Sequence, residues 1–133
     1  RADIDSLLHT LESNYLGWSS TMAPAIMGAP DQPELGVELT NSFCRTDPEI
    51  AKQFARVTFL SDHRAAIAKL RTPSLILQCD EDLIAPVSVG EYMHGVMPDS
   101  VLRIIENVGH CPHLSRPGAS SDAIDSFLSQ HGL

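Results

Sequence analysis

The pattern of apolar residues divides the chain into two parts with different periodicities. In residues 1–70, apolar residues recur every three or four positions, which is typical of helices that bury one face. After Thr72-Pro73 the pattern changes to two short apolar runs, 74–79 and 101–106, each followed by a helical stretch. Short apolar runs bounded by proline and acidic residues are typical of buried strands. The pattern therefore predicts helical hairpins in residues 1–70 and a βαβα unit in residues 71–133.

Residues with known positional preferences predict where the helices of the first part begin and end. Pro24 is expected to kink or split the second helix. Asp31 is expected to cap the third helix, and the start signal repeats at Thr46-Asp47-Pro48-Glu49 for the fourth. The apolar faces expected in this part include these residues: Ile4, Leu7, Leu8 and Leu11; Tyr15, Trp18, Met22, Ile26 and Met27; Leu35, Leu39 and Phe43; Ile50, Phe54 and Val57.

The second part has the order of a parallel sheet. A strand–helix–strand–helix sequence predicts two parallel strands joined by a right-handed crossover. Parallel sheets are buried on both faces, and their edges need partners, so two strands alone do not make a stable sheet. We therefore expect this unit to be one end of a larger sheet. The face of the last helix that covers it is expected to carry Ala123, Ile124, Phe127 and Leu128.

Candidate chemistry follows the two predicted strands. Asp80, Glu81 and Asp82 follow the first run, and His110 follows the second. Because the carboxyl ends of parallel strands lie at one edge of a sheet, an acid and a base are expected to meet there. In catalytic triads such an acid orients the histidine that acts as general base. The order acid then histidine is that of α/β-hydrolases, although spacing alone leaves the choice among the three acids open.

Simpler interpretations exist for each of these residues. A single aspartate after a strand is most often a solvated loop residue, and a single histidine can serve as a structural residue at a strand end. The sequence His110-Cys111-Pro112-His113 could be read as metal ligands, but zinc requires four convergent ligands with recognisable spacing. We therefore predict no metal and no other cofactor. The aromatic and methionine residues of the first part fit either a core or the wall of an apolar pocket.

Composition excludes several classes of protein. The length of 133 residues fits one domain at most, and 43% apolar residues are enough for a packed core. The net charge of −8 argues against a nucleic-acid partner, and no apolar run is long enough to cross a bilayer. Three cysteines without zinc-type spacing indicate reduced thiols and a cytoplasmic protein. Because the chain begins at Arg1 rather than Met, we expect it to be part of something longer.

Several separate segments of the chain resemble one family. The resemblance covers nearly the whole chain, and the segments occur in the order of the RsbQ-type α/β-hydrolases. These bacterial stress-response regulators are similar to the plant strigolactone and karrikin receptors. The segments are Asn14–Trp18, Phe43–Pro48, Phe59–Arg64, Pro73–Cys79, Asp82–Pro86 and Gly109–Ser115.

This resemblance implies a role for each part of the chain. Residues 3–60 resemble the helical lid over the pocket, and the remainder resembles the last βα units of the hydrolase core. Asp82 matches the triad acid and His110 the triad base, which resolves the choice among the acids. Ligand-contacting positions are implied at Trp18, Met22, Phe59 and, at the edge of the site, Cys111.

The resemblance also implies that part of the catalytic machinery lies elsewhere. A family member is roughly twice this length, and no G-x-S-x-G elbow occurs in these 133 residues. We therefore expect the C-terminal half of an α/β-hydrolase, inactive alone, with its nucleophile and oxyanion hole in a missing N-terminal half. The implied activity is hydrolysis of a small ester, lactone or related acyl compound. The alternative is a ligand-sensing signalling module with a protein partner at the lid and incidental hydrolysis.

Overall fold

The structure, a computed structural model, describes residues 2–132 and contains a series of helices followed by two strands and their connecting helices. The change from helices to strands falls between α5 and β1, as the periodicity predicts. Whether the two parts are separate units stays a prediction. The elements are α1 (Ala2–Ser13), α2 (Tyr15–Met27), α3 (Pro33–Arg45), α4 (Pro48–Leu60), α5 (Arg64–Ile67), β1 (Ser74–Glu81), α6 (Val87–Val96), β2 (Ser100–Val108), α7 (Pro112–Ser115) and α8 (Pro117–His131).

The helix boundaries confirm some start signals and correct others. Asp47 caps α4, because its Oδ1 accepts the N–H groups of Glu49 and Ile50. Of the two effects expected of Pro24, a split is wrong, because α2 continues through it to Met27, and a kink stays a prediction. A proline this close to the helix end removes one backbone hydrogen bond, while the last turn still closes after it.

The expected cap of α3 is also wrong. Gln32, not Asp31, occupies the N-cap position, and no side chain accepts a hydrogen bond there. Asp31 instead lies 3.4 Å from Arg116, at the start of α8. Local sequence marks a capping residue here, whereas the contact of Asp31 with Arg116 joins residues that are distant in the chain.

A small core joins the first helices. Leu8 and Leu11 of α1, Tyr15 of α2 and Ala55 of α4 are buried together. The expected inner face of α4 is wrong, because Ile50, Phe54 and Val57 are 65%, 73% and 64% exposed. Ala55 is the fully buried contact of α4 with this core, and Ala51 and Phe59 of the same helix pack against it partly buried.

The two strands form a parallel pair, as predicted. Ser74 to Cys79 pair in register with Ser100 to Ile105, and the register then shifts so that Glu81 pairs with Val108. Both α6 and α8 pack on this pair. On α8 Phe127 is buried, but Ile124 and Leu128 are 42% and 36% exposed, so only part of its expected face is covered.

Among residues 2–132, the sheet has only these two strands. No helix of this part of the chain is long and apolar enough to cross a membrane. The strands extend further than predicted, because Glu81 and Val108 still belong to them. The polar ends of both strands are therefore held by the ladder, which positions the residues that follow.

Candidate active site

Asp82 and His110 meet beyond the carboxyl ends of the two strands. The Oδ2 atom of Asp82 lies 2.7 Å from Nδ1 of His110, although 28 residues separate them in the chain. The Asp82 side chain is only 4% exposed, whereas the His110 side chain is 44% exposed. The acid is therefore enclosed, and the imidazole reaches toward an open space.

The second oxygen of Asp82 fixes the acid in place. Oδ1 accepts the backbone N–H groups of Ile84 at 2.8 Å and Ala85 at 3.0 Å. An ionised carboxylate can only accept hydrogen bonds, so all three contacts suit its charged form. The carboxylate is thus oriented by its own loop, and Oδ2 is directed at the imidazole.

Asp80 makes different hydrogen bonds from those of Asp82. Its Oδ1 accepts the backbone N–H of Asn107 at 2.8 Å and that of Glu81 at 3.0 Å. These bonds lie where the register of the two strands shifts. Asp80 therefore braces the strand pair and is more than a solvated loop acid. Of the three acids at this edge, Asp82 is the one hydrogen-bonded to His110.

The loop that carries His110 is crossed closely by the end of α2. Gly28 and Gly109 have φ values of +61° and +116°, which L side chains rarely adopt. A Cβ at Gly109 would overlap the carbonyl oxygen of Met27, and a Cβ at Gly28 would overlap that of Val108. Glycine at both positions allows the two backbones to touch.

Backbone hydrogen bonds join the two segments at this crossing. The N–H of Ala29 donates to Val108 O at 2.8 Å, and the N–H of His110 donates to Ile26 O at 2.7 Å. The position of His110 therefore depends on contacts from both the helical region and the sheet.

An apolar cavity of about 460 Å³ opens beside the imidazole. His110 and Ile84 line it from the sheet edge. The walls are otherwise mostly aliphatic and aromatic, as in small-molecule sites in general. Its lining includes two of the predicted ligand-contacting residues, Trp18 and Phe59, and also Leu11, Tyr15, Ile26, Phe43, Ile50, Phe54 and Thr58.

The ring of Trp18 is held by its neighbours. It stacks on Phe43 with ring centroids 6.0 Å apart and an interplanar angle of 8°, and on Tyr15 at 6.4 Å and 17°. The Tyr15 hydroxyl donates to Phe43 O at 2.9 Å, which ties α2 to the end of α3. These three rings form a fixed wall of the cavity.

The other two predicted ligand contacts lie elsewhere. Met22 lines a separate depression between α1 and α2, together with Asp3 and Thr10. Cys111 is half-buried at the start of α7 and is not among the residues that line the cavity. Burial raises the pKa of the Cys111 thiol. Ligand binding by Met22 and Cys111 therefore stays a prediction that the lining of this cavity does not support.

Sequence reasoning missed some of the wall. Ile26 was assigned only to an apolar helix face, and Ile84 lies in a segment that carries the resemblance but received no role. Phe54 was assigned to a buried face, although it is an exposed residue beside the cavity. The exposed apolar side of α4 was the available signal, because an apolar stripe fits a pocket as well as a core.

Within residues 2–132, no group of three or more His, Cys, Asp or Glu side chains could hold a metal ion.

A family model described as the alpha/beta hydrolase family matches residues 2–123. This chain belongs to the alpha/beta hydrolase family. The expected fold class is confirmed.

Similar proteins include named hydrolases of plants and bacteria. A probable esterase of Oryza sativa subsp. japonica is 34% identical over 97% of this chain and 46% of its own length. "Karrikin insensitive 2 receptor CA" of Petunia hybrida is 32% identical over 97% of this chain and 47% of its own length. The structure of a hydrolase from Oleispira antarctica superposes with a TM-score of 0.90 and 40% identity, over 97% of this chain and 47% of that one.

The chain thus spans about half the length of the relatives it matches. In this alpha/beta hydrolase the acid–histidine contact leaves the Nε2 side of the ring for a reaction partner. None of the serine hydroxyls in the part of the chain that the structure describes is hydrogen-bonded to the ring. The arrangement can orient an imidazole and accept a proton at Nε2.

Proposed function

We propose that this chain supplies the acid, the base and a pocket wall of a serine-type hydrolase that acts on small esters, lactones or related acyl compounds. The contact between Asp82 Oδ2 and His110 Nδ1 at 2.7 Å is the observation that supports this most strongly. Named esterases among the relatives support the reaction class.

In the proposed mechanism, a serine hydroxyl from outside these 133 residues attacks the substrate carbonyl. Nε2 of His110 takes the serine proton and later passes it to the leaving oxygen. Asp82 holds the proton on Nδ1, which leaves Nε2 free to act as base, and it stabilises the imidazolium that forms. Water then attacks the acyl-enzyme with the same histidine as base. Oxyanion donors, also from outside the chain, stabilise the tetrahedral intermediate.

The cavity is assigned to the apolar part of the substrate. Phe54 offers an exposed ring in its wall, and His110 is the member of the acid–base pair that lines it. A substrate group placed there would bring its carbonyl to the open side of the imidazole.

The test compares the product of the complete coding sequence with residues 1–133 alone, using aryl acetates of increasing ring size. We expect the complete protein to hydrolyse them and a fluorophosphonate to label one serine outside these residues, found by peptide mass spectrometry. Residues 1–133 alone should be inactive. Stoichiometric hydrolysis or labelling within residues 1–133 would contradict a nucleophile outside the chain.

A second candidate is a ligand-sensing module whose partner binds the helical region. Two observations favour it: a relative is named as a receptor, and Ile50, Phe54 and Val57 expose apolar surface on α4. In that case, turnover should be slow, and ligand should strengthen binding of a partner protein. Steady multiple turnover with no ligand-dependent partner favours the enzyme.

A further inference from the structure

We propose that Asn107 is a positioning residue for His110, and that Ser115 in turn orients Asn107. This inference rests on the proposed function, because it assigns these residues a part in aiming the proposed base. Both side chains are buried, with 2% and 3% exposure, and neither lines the cavity.

The peptide group before His110 is held on both sides. Its carbonyl, Gly109 O, accepts a hydrogen bond from Nδ2 of Asn107 at 3.1 Å, and its N–H donates to Ile26 O at 2.7 Å. The orientation of this peptide plane sets the direction in which the imidazole leaves the backbone. By holding this peptide plane, Asn107 therefore influences the orientation of the His110 imidazole through the main chain.

The preceding peptide group is held in the same way. Val108 O accepts the N–H of Ala29, and the N–H of Gly109 donates to Glu81 O, both at 2.8 Å. Of the four bonds that hold these two successive peptide groups, only that of Asn107 comes from a side chain. It is thus the one bond of the set that a substitution can remove.

The amide of Asn107 can take only one orientation. Its Nδ2 faces Gly109 O and, at 3.4 Å, Cys79 Sγ, while its Oδ1 accepts a hydrogen bond from Ser115 Oγ at 2.7 Å. A flipped amide would set its oxygen against the carbonyl of Gly109, two acceptors without a proton between them.

The hydroxyl of Ser115 donates its proton to Oδ1 of Asn107 rather than to the carbonyl of Cys111. Ser115 Oγ also lies 3.0 Å from Cys111 O, but that carbonyl already accepts the N–H groups of Leu114 and Ser115 at 3.0 and 3.1 Å. Oδ1 of Asn107 is paired only through this hydroxyl among the bonds described for its side chain. Loss of the hydroxyl leaves a buried amide oxygen unpaired and removes what fixes the amide.

The chain offers a matched control in the next helix. Ser120 is buried to the same 3% as Ser115, but within the part of the chain that the structure describes its hydroxyl has no hydrogen-bond partner. Ser115→Ala and Ser120→Ala therefore delete the same atom at the same burial. Only the first deletes a hydrogen bond.

The readout is the Nδ1 proton of His110, observed by NMR in protein made from the complete coding sequence with ¹⁵N-labelled histidine. His110→Gln assigns the signal. We expect Asn107→Ala and Ser115→Ala to broaden it and speed its exchange with water about tenfold or more, whereas Ser120→Ala leaves it unchanged. Misplaced catalytic groups can cost on the order of 100-fold, so kcat should fall roughly 10- to 100-fold in Ser115→Ala with KM unchanged.

The outcomes separate this inference from the proposed function. An unchanged signal in Ser115→Ala overturns the inference, even where Asn107→Ala does not fold. An equal change in Ser120→Ala also overturns it, because loss of packing alone would then be the cause. A protein that shows the expected NMR changes but hydrolyses no ester overturns the proposed function and leaves the positioning role intact.

Discussion

Replacing Asp82 with asparagine tests whether the acid orients the base. In the variant, Oδ1 can still accept the N–H groups of Ile84 and Ala85, so the loop keeps its shape. The new NH₂ group replaces Oδ2, 2.7 Å from Nδ1 of His110. Because an amide N–H only donates, the imidazole must accept at Nδ1 and carry its proton on Nε2. In the proposed mechanism, that is the nitrogen that takes the proton from serine.

The effect on stability should be small and the effect on rate large. The three hydrogen bonds at this 4% exposed carboxylate become neutral ones but are all kept, so the free energy of unfolding should fall by no more than about 3 kcal/mol. The same change of tautomer lowers turnover about 10⁴-fold in serine proteases, and we expect a kcat loss on the order of 10³- to 10⁴-fold here. His110→Ala should lose about as much, and the double variant should add little, because the pair acts as a unit.

Asp80→Asn is the control, since its amide oxygen can still accept the N–H groups of Asn107 and Glu81 that now bind Oδ1. The assay is aryl-ester hydrolysis by protein from the complete coding sequence, with thermal melts for each variant. Asp80→Asn should keep both rate and melting temperature. The reasoning is refuted if Asp80→Asn abolishes turnover while Asp82→Asn retains it. It is equally refuted if neither acid matters while His110 does.

Two further predictions follow from the crossing and from the cavity. Gly109→Ala should lower the free energy of unfolding by more than the usual strain of about 1–3 kcal/mol at such φ, because a Cβ there would also overlap backbone. The control is Gly95→Ala at a helical site with nothing within 4 Å, which should stabilise the protein by up to about 1 kcal/mol in chemical denaturation. Equal losses of stability in the two variants would contradict the close backbone crossing at Gly109. Phe54→Ala should raise KM for aryl esters, yet it should change the free energy of unfolding by only about 0.5 kcal/mol, because the side chain is 73% exposed. An unchanged KM with a clear fall in melting temperature would instead show that Phe54 is a packing residue.

The order of elements and the general place of the chemistry could be read from the chain. Periodicity and proline positions depend on neighbours a few residues apart, so the helices other than the short α7 and both strands were predictable. The placement of an acid and a histidine past successive strands was predictable for the same reason, because parallel strands end at one edge. Spacing alone did not separate Asp80 from Asp82.

Predictions that depend on which face of a helix is covered failed more often. Ile50, Phe54 and Val57 have helical spacing, but their burial depends on where α1 and the sheet lie. The same holds for Ile124 and Leu128 on α8. A stripe of apolar residues indicates that one helix face is covered. It does not indicate whether a core, a ligand or another segment covers that face.

The sequence by itself determined the succession of helices and strands, and the acid and histidine that end neighbouring strands. The family resemblance had already singled out Asp82, and the tertiary structure shows its contact with His110. Only the tertiary structure decided that Trp18 and Phe59 share a cavity with that histidine and that Met22 does not. The close approach of two backbones at Gly28 and Gly109 also emerges only there. The reason is physical. Local propensities act over one turn or one pleat, whereas these contacts join residues up to about a hundred positions apart, and their geometry is set by how whole elements pack.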